Sequence, residues 1–356
     1  MHREFTERAS HDLIKSKKQQ RRGRTRRGFT SDHLSLMKRY NITYVKEIAM
    51  LRLTFAFGFV VFLSLSAHAA APKVVTTIVP LHSLVASVMK GVGTPKLLLP
   101  GGASPHNSSL RPSDATAIEE ADVVFWFGET LESGLARAMK ALPRGEVVTL
   151  AQHTDLILLP AREGGPWESA EEENGEHKHD HVHGSKDPHV WLDPKNGAVL
   201  ASYIEKTLSR LYPQHAARFG GNASDLINQL EELEHDLERR LAPISDAPYL
   251  VFHDAYQYFE NRFRLSPAGS ITVNPERAPG AKRLAELRSR LTTGKVLCVF
   301  QEPQFESGAV ATIVSGTPTK ISVLDPLGAD IPPGPDAYFT LMSLLADGLT
   351  DCLGAL

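Results

Sequence analysis

Residues 223 to 241 read ASDLINQLEELEHDLERRL, with Leu226, Leu230, Leu233, Leu237 and Leu241 recurring at intervals of three and four among dense charges. That spacing predicts one long amphipathic helix. Pro213 and the Gly220-Gly221 pair lie upstream and Pro243 closes it, so the element is read as residues 213–242, serving either as a rigid connector between lobes or as a packed surface helix.

On both sides of this helix short runs rich in Val, Ile, Leu and Phe alternate with helical patterns. The runs before it are Lys73–Val79, Lys96–Leu99, Val123–Phe127, Val147–Leu150 and His189–Leu192; those after it are Tyr249–His253, Ile271–Val273, Val296–Phe300 and Ile321–Leu324. Helical periodicity marks Pro112–Ala121, Thr130–Leu142, Asn196–Leu211, Ala281–Leu291 and Asp336–Leu353. Strands that alternate with helices predict mainly parallel sheets, so the fold class is α/β: a lobe over 70–212 and a second over 243–356, joined by the long helix.

Residues 163–187 (EGGPWESAEEENGEHKHDHVHGSKD) break the rhythm. They are poor in aliphatics and acidic, with His177, His179, His181 and His183 alternating. The composition predicts a solvated loop in the first lobe, and its imidazoles form an auxiliary, weak, multi-site chelator for cations such as zinc.

The chain's 356 residues carry a net charge of −2, but its distribution is uneven. Residues 1–49 hold 13 Lys and Arg against five Asp and Glu, residues 50–69 hold only Arg52, and the remainder holds 25 basic against 36 acidic side chains. Met50-Leu51-Arg52, the apolar run LTFAFGFVVFLSL over 53–65 and Ala67-His68-Ala69 read as a signal peptide cleaved near Ala69/Ala70. Residues 1–49 are then a disordered basic extension or an upstream misassignment of a start at Met50; Arg26-Arg27-Gly28-Phe29 resembles a twin-arginine signal but stands far from Leu53. The exported product is acidic, which excludes a nucleic-acid binder. Its two cysteines, Cys298 and Cys352, are expected to form one disulfide in an oxidising compartment.

Eleven of the 15 histidines follow residue 69. His106, His189 and His253 each sit in a compact motif at a strand end or turn: GGASPHN, DPHVWLDP and VFHDAY. Strand ends are where α/β ligand sites form, and three imidazoles with one further position make a tetrahedral zinc set. His82, beside Pro80-Leu81, is a weaker candidate for the same cleft; His153, His215 and His235 read as surface or packing residues. A three-histidine zinc hydrolase is the rival enzyme, with Glu129 and Glu302 as the strand-end carboxylates available for a base, but no His-Glu-x-x-His motif occurs.

These motifs, with Leu110-Arg-Pro-Ser-Asp114, Thr272-Val-Asn-Pro275, Phe300-Gln-Glu-Pro-Gln-Phe305 and Leu324-Asp-Pro-Leu-Gly328, resemble the ZnuA family, the zinc-binding periplasmic components of zinc ABC importers. The similarity runs from about Lys73 to the C-terminus and includes the cysteine pair. It implies two α/β lobes joined by a long helix, with Zn2+ bound between them as transported ligand by His106, His189 and His253, and an acidic His-rich loop matching residues 163–187. It also implies an inner-membrane zinc permease as partner, with a periplasmic metallochaperone as a further one, a monomeric state and no catalysis. Some relatives carry a Glu immediately before the first histidine as fourth ligand; here that position is Pro105, which leaves water, Asp325 or a loop histidine. Asn107 likewise stands where an acidic residue often follows the histidine. A manganese importer, whose sites use more carboxylate, and a surface adhesin are the alternatives within this type of fold.

Overall fold

The structure, a computed structural model, describes residues 71–354 apart from 142, 163, 168–184, 274, 277 and 307. The leader and the loop histidines His177, His179, His181 and His183 lie outside the described residues. No helix among the described residues is long and apolar enough to cross a membrane.

Two four-stranded sheets form, each entirely parallel. The first comprises β1 (Val74–Thr76), β2 (Lys96–Leu97), β3 (Val123–Trp126) and β4 (Glu146–Thr149) in the order β2-β1-β3-β4. The second comprises β5 (Tyr249–His253), β6 (Pro267–Thr272), β7 (Cys298–Gln301) and β8 (Lys320–Val323) in the order β6-β5-β7-β8. Both have the same winding, with the chain reversing direction across the sheet between the first and third strands of each lobe. Central strands such as Val123–Trp126 and Tyr249–His253 are apolar or buried throughout, as expected of parallel strands covered on both faces.

Crossover helices cover these sheets. In the first lobe they are α1 (Val79–Val88), α2 (Pro112–Glu120), α3 (Ala136–Ala141) and α4 (Pro194–Leu211); in the second, α6 (Gln257–Phe263), α7 (Ala281–Thr292), α8 (Gly308–Val314) and α9 (Ala337–Leu353). The linking helix α5 runs over Ala216–Leu241, about 39 Å at 1.5 Å per residue, and buries Phe219, Ala223, Leu226, Leu230, Leu233, Leu237 and Leu241. It is connector and packed helix at once, lying along α4 and touching α1 and α9.

The C-terminal helix returns to the first lobe. α9 packs on α1 as well as on α5 and β8, and the Ser83 hydroxyl donates to the Pro335 carbonyl at 2.7 Å while accepting from the Tyr338 amide at 2.9 Å. The main core is therefore continuous through both lobes, and alternate residues of β5 divide between it and a smaller one: Tyr249 and Val251 face the main core, Leu250 and Phe252 the second. Cys298 on β7 and Cys352 on α9 form the expected disulfide.

One expected strand is absent. Residues Val190–Leu192 form a 3-10 turn, because the segment is pinned at both ends. Asp187 accepts the His189 amide at 3.0 Å, and Asp193 caps α4 through the Lys195 amide at 2.9 Å with Pro194 at the first helical position. Trp191 is fully buried there, its indole N–H donating to Pro326 of the second lobe at 2.9 Å. α1 begins at the helix start expected around Pro80-Leu81, while α6 and α8 are helices that the quoted sequence patterns do not single out.

Candidate metal centre

His253 is the last residue of β5, at the point where the second sheet changes winding direction; His106 lies in a 3-10 turn (Pro105–Asn107) after β2, and His189 immediately precedes the turn that leads into α4. Their candidate ligand nitrogens all lie within 4.8 Å of one another. The ring centroids are 5.3 Å apart for His189 and His253, 5.6 Å for His106 and His189, and 5.7 Å for His106 and His253. Pro105, Trp191, Phe305 and Pro326 line the small enclosed space around them.

Two carboxylates orient the rings by the same construction. Asp187 Oδ1 accepts both the amide and Nδ1–H of His189, at 3.0 and 2.7 Å; Glu302 Oε1 accepts both the amide and Nδ1–H of His253, at 3.3 and 2.7 Å. An ionised carboxylate only accepts, so each Nδ1 carries the proton and each Nε2 presents a lone pair. The two Nε2 atoms then face each other at 3.4 Å. A tetrahedral ion with bonds of about 2.0–2.1 Å requires ligand nitrogens about 3.3–3.4 Å apart. Without a cation or a proton between them, two lone pairs at that distance repel.

Burial keeps most of this set uncharged. Desolvation, with the nearby His189 and His253, lowers the His106 pKa to about 2, and desolvation followed by His253 holds His189 well below the usual value. Desolvation also pulls on His253, but Glu302, Asp254 and Asp187 together outweigh it and raise its pKa. Asp187 itself is pushed up to about 7 by burial, against the pull of the His189 amide, Arg162 and His253.

Behind the histidines lies a buried ion cluster. Arg162 Nε donates to both Asp254 oxygens at 3.0 Å, its Nη2 also donates to Asp254, and its Nη1 lies 2.8 Å from Glu260. The guanidinium stacks 3.5 Å over Trp167. These residues mark the roots of the acidic loop: the Ala161 amide donates to Ser185 at 2.9 Å and the Asp187 amide to Leu159 at 3.0 Å, so the loop leaves and rejoins the fold beside His189.

Asp325 does not join the three histidines. Its Oδ1 accepts from Gln304 at 2.7 Å and from the amides of Leu327 and Gly328 at 2.9 Å, while Oδ2 accepts from Ala329. It organises the turn that brings Pro326 to the cleft. His82 is also elsewhere, buried in α1 with Nε2 3.2 Å from the Pro95 carbonyl. His153 packs at a tilt against Tyr203 and His215 edge-on against Phe219. Of the two carboxylates considered as a hydrolytic base, Glu129 is exposed and paired with Lys140, and Glu302 is committed to His253.

Sequence reasoning missed the orienting role of both carboxylates, Glu302 being considered only as a hydrolytic base. Asp187 stood inside the quoted DPH motif, and Glu302 follows β7, the parallel neighbour of the strand that ends at His253. Polar residues ending two adjacent parallel strands are a signal available from the strand pattern alone.

A sequence profile of the ZnuA family, described as zinc-uptake complex component A, periplasmic, matches residues 74–352. The high-affinity zinc uptake system protein ZnuA of Brucella abortus (strain 2308) is 44% identical over 304 residues, spanning 79% of this chain and 91% of that protein. Its counterpart in Yersinia pestis is 37% identical over 293 residues, spanning 80% and 92%. A crystal structure of ZnuA superposes with a TM-score of 0.67 at 22% identity, covering 80% of this chain and 99% of that one, which shows the shared fold. With the profile running from β1 to the end of α9, the chain belongs to the ZnuA family.

Proposed function

We propose that this protein captures Zn2+ between its lobes through His106, His189 and His253 and delivers it to an inner-membrane ABC permease. The observation that carries this reading is the pair of Nε2 lone pairs held 3.4 Å apart by Asp187 and Glu302, a geometry that one tetrahedral ion satisfies. Imidazole nitrogen favours zinc over magnesium, calcium and manganese; Cu2+ and Ni2+ bind such a set at least as well, so geometry and availability set selectivity.

The fourth position falls to water or a loop histidine, because Pro105 supplies no carboxylate and Asp325 is engaged in its own turn. No substrate is transformed. The loop histidines collect zinc near the cleft, and the leader ending at Ala69 directs the chain to the periplasm, where it works as a monomer.

Calorimetric titration of Zn2+ into metal-free protein beginning at Ala70, beside a His106→Ala, His189→Ala, His253→Ala triple variant, tests the assignment. One tight site in the parent, lost in the variant with weaker loop binding retained, supports it. Unchanged tight binding in the variant overturns it.

A further inference from the structure

The three histidines are not held alike. His189 and His253 are each fixed by a carboxylate, whereas among the described residues the His106 ring has no such partner, and it is only half-buried. Its position therefore follows from the backbone of residues 104–107. The Ser133 hydroxyl supports that turn from within the first lobe, donating to the His106 carbonyl at 3.0 Å. A second support comes from the opposite lobe: Glu276 Oε1 accepts from the Ser104 hydroxyl at 2.6 Å, and Oε2 accepts from the side-chain Nδ2 of Asn107 at 3.3 Å.

One carboxylate thus bridges the cleft and grips the residues on both sides of His106. The lobes also meet directly beside it, since a Cβ at Gly101 would lie 2.2 Å from the Ala329 carbonyl oxygen. The grip depends on a neutral donor at position 107. An aspartate there would set a second negative charge against Glu276.

Accepting the three-histidine zinc site, we infer that Glu276 is a cross-lobe latch that positions His106, that Asn107 sets its strength, and that the latch slows zinc release. Glu276 is exposed and grips Ser104 and Asn107 on either side of His106, so it is a positioning residue. Closing the latch holds the third imidazole in place. Opening it lets His106 swing out, which leaves the ion on two nitrogens.

The test loads the chain beginning at Ala70 with one Zn2+ and follows release into excess chelator by stopped flow. Asn107→Asp should accelerate release about two- to fivefold, the range of one exposed charged contact. Combining it with Glu276→Gln should bring the rate back toward the parent, because the amide can donate to the new carboxylate where two carboxylates repel. Thermal unfolding of the metal-free variants should match the parent, which separates a latch from general support of the fold. An unchanged rate in Asn107→Asp, or a combined variant as fast as the single one, overturns the latch while tight equilibrium binding by the parent preserves the site. Loss of tight binding in the parent itself overturns both.

Discussion

His189 and His253 approach from different lobes with their Nε2 atoms 3.4 Å apart, and each is turned toward the other by a carboxylate on its far nitrogen. The pair is preorganised: neither ring needs to rotate or change tautomer when an ion arrives. Replacing either carboxylate by its amide, Asp187→Asn or Glu302→Gln, lets the side chain donate to Nδ1 and favours the wrong tautomer. Each variant should lose about 10- to 100-fold in zinc affinity, measured by competition with a chromophoric chelator. Affinities within about twofold of the parent would show that the rings are oriented by packing alone.

Acid should release zinc with fewer protons than three free imidazoles would take up. The His106 pKa is lowered to about 2 and His189 is also lowered, so both are neutral near physiological pH and have no proton to lose. His253, whose pKa is raised by Glu302 and the nearby aspartates, and Asp187, raised to about 7 by burial, are the groups that bind protons in the metal-free site. Affinity should therefore fall as pH drops from about 7 toward 5, with a slope between one and two protons in a plot of log Kd against pH. A slope of three would mean that the histidines titrate as exposed groups.

Glu132 sits in the crevice where the first sheet changes winding direction, fully buried, with Oε2 accepting from the amides of Phe127 and Gly128 at 2.9 and 3.1 Å. Burial raises its pKa to about 7, against hydrogen bonds from Thr77, Gly128 and Phe127. The folded state holds this proton more tightly than the unfolded state, so its stabilising contribution is complete at acid pH and is lost as pH rises from about 4.5 to 7. Glu132→Gln should leave stability unchanged near pH 4 and raise it by about 2–4 kcal/mol at pH 8, read from denaturant midpoints. Equal effects at both pH values would refute the buried titration.

The Cys298–Cys352 disulfide closes a sequence separation of 54 residues. In the chain-entropy account a loop of that length stabilises the fold by about 4 kcal/mol. Reduction should lower the unfolding midpoint accordingly. Zinc affinity, measured below the new midpoint, should not change, because neither sulfur belongs to the ligand set.

Much of this was legible from local pattern. The heptad-like leucines of α5 and the alternation of apolar runs with amphipathic segments place two parallel sheets on either side of a long helix. His106, His189 and His253 stand out because each lies in a short motif with turn-forming neighbours. What the pattern hides depends on tertiary geometry. His189–Leu192 has the composition of a strand, yet Asp187 and Asp193 cap both ends and leave room only for a tight turn. Asp325 has the right chemistry for a metal ligand, but three backbone amides of its own turn claim its oxygens. Glu302 and Glu276 act on residues 49 and 169–172 positions away, separations at which sequence spacing carries no signal.

α9 belongs to the second lobe by sequence but rests on α1 of the first, and Tyr338 on that helix donates its hydroxyl to the Trp191 carbonyl at 2.6 Å. Swinging the lobes apart would strip these contacts and open the shared core to water, which opposes a wide hinge motion. Traffic of the ion must therefore depend on a few residues shifting by ångströms, and a small-angle scattering curve recorded before loading should superimpose on one recorded after. A transporter that docks this protein would then distinguish full from empty by the local shape of the surface around the 104–107 turn, not by the angle between two halves.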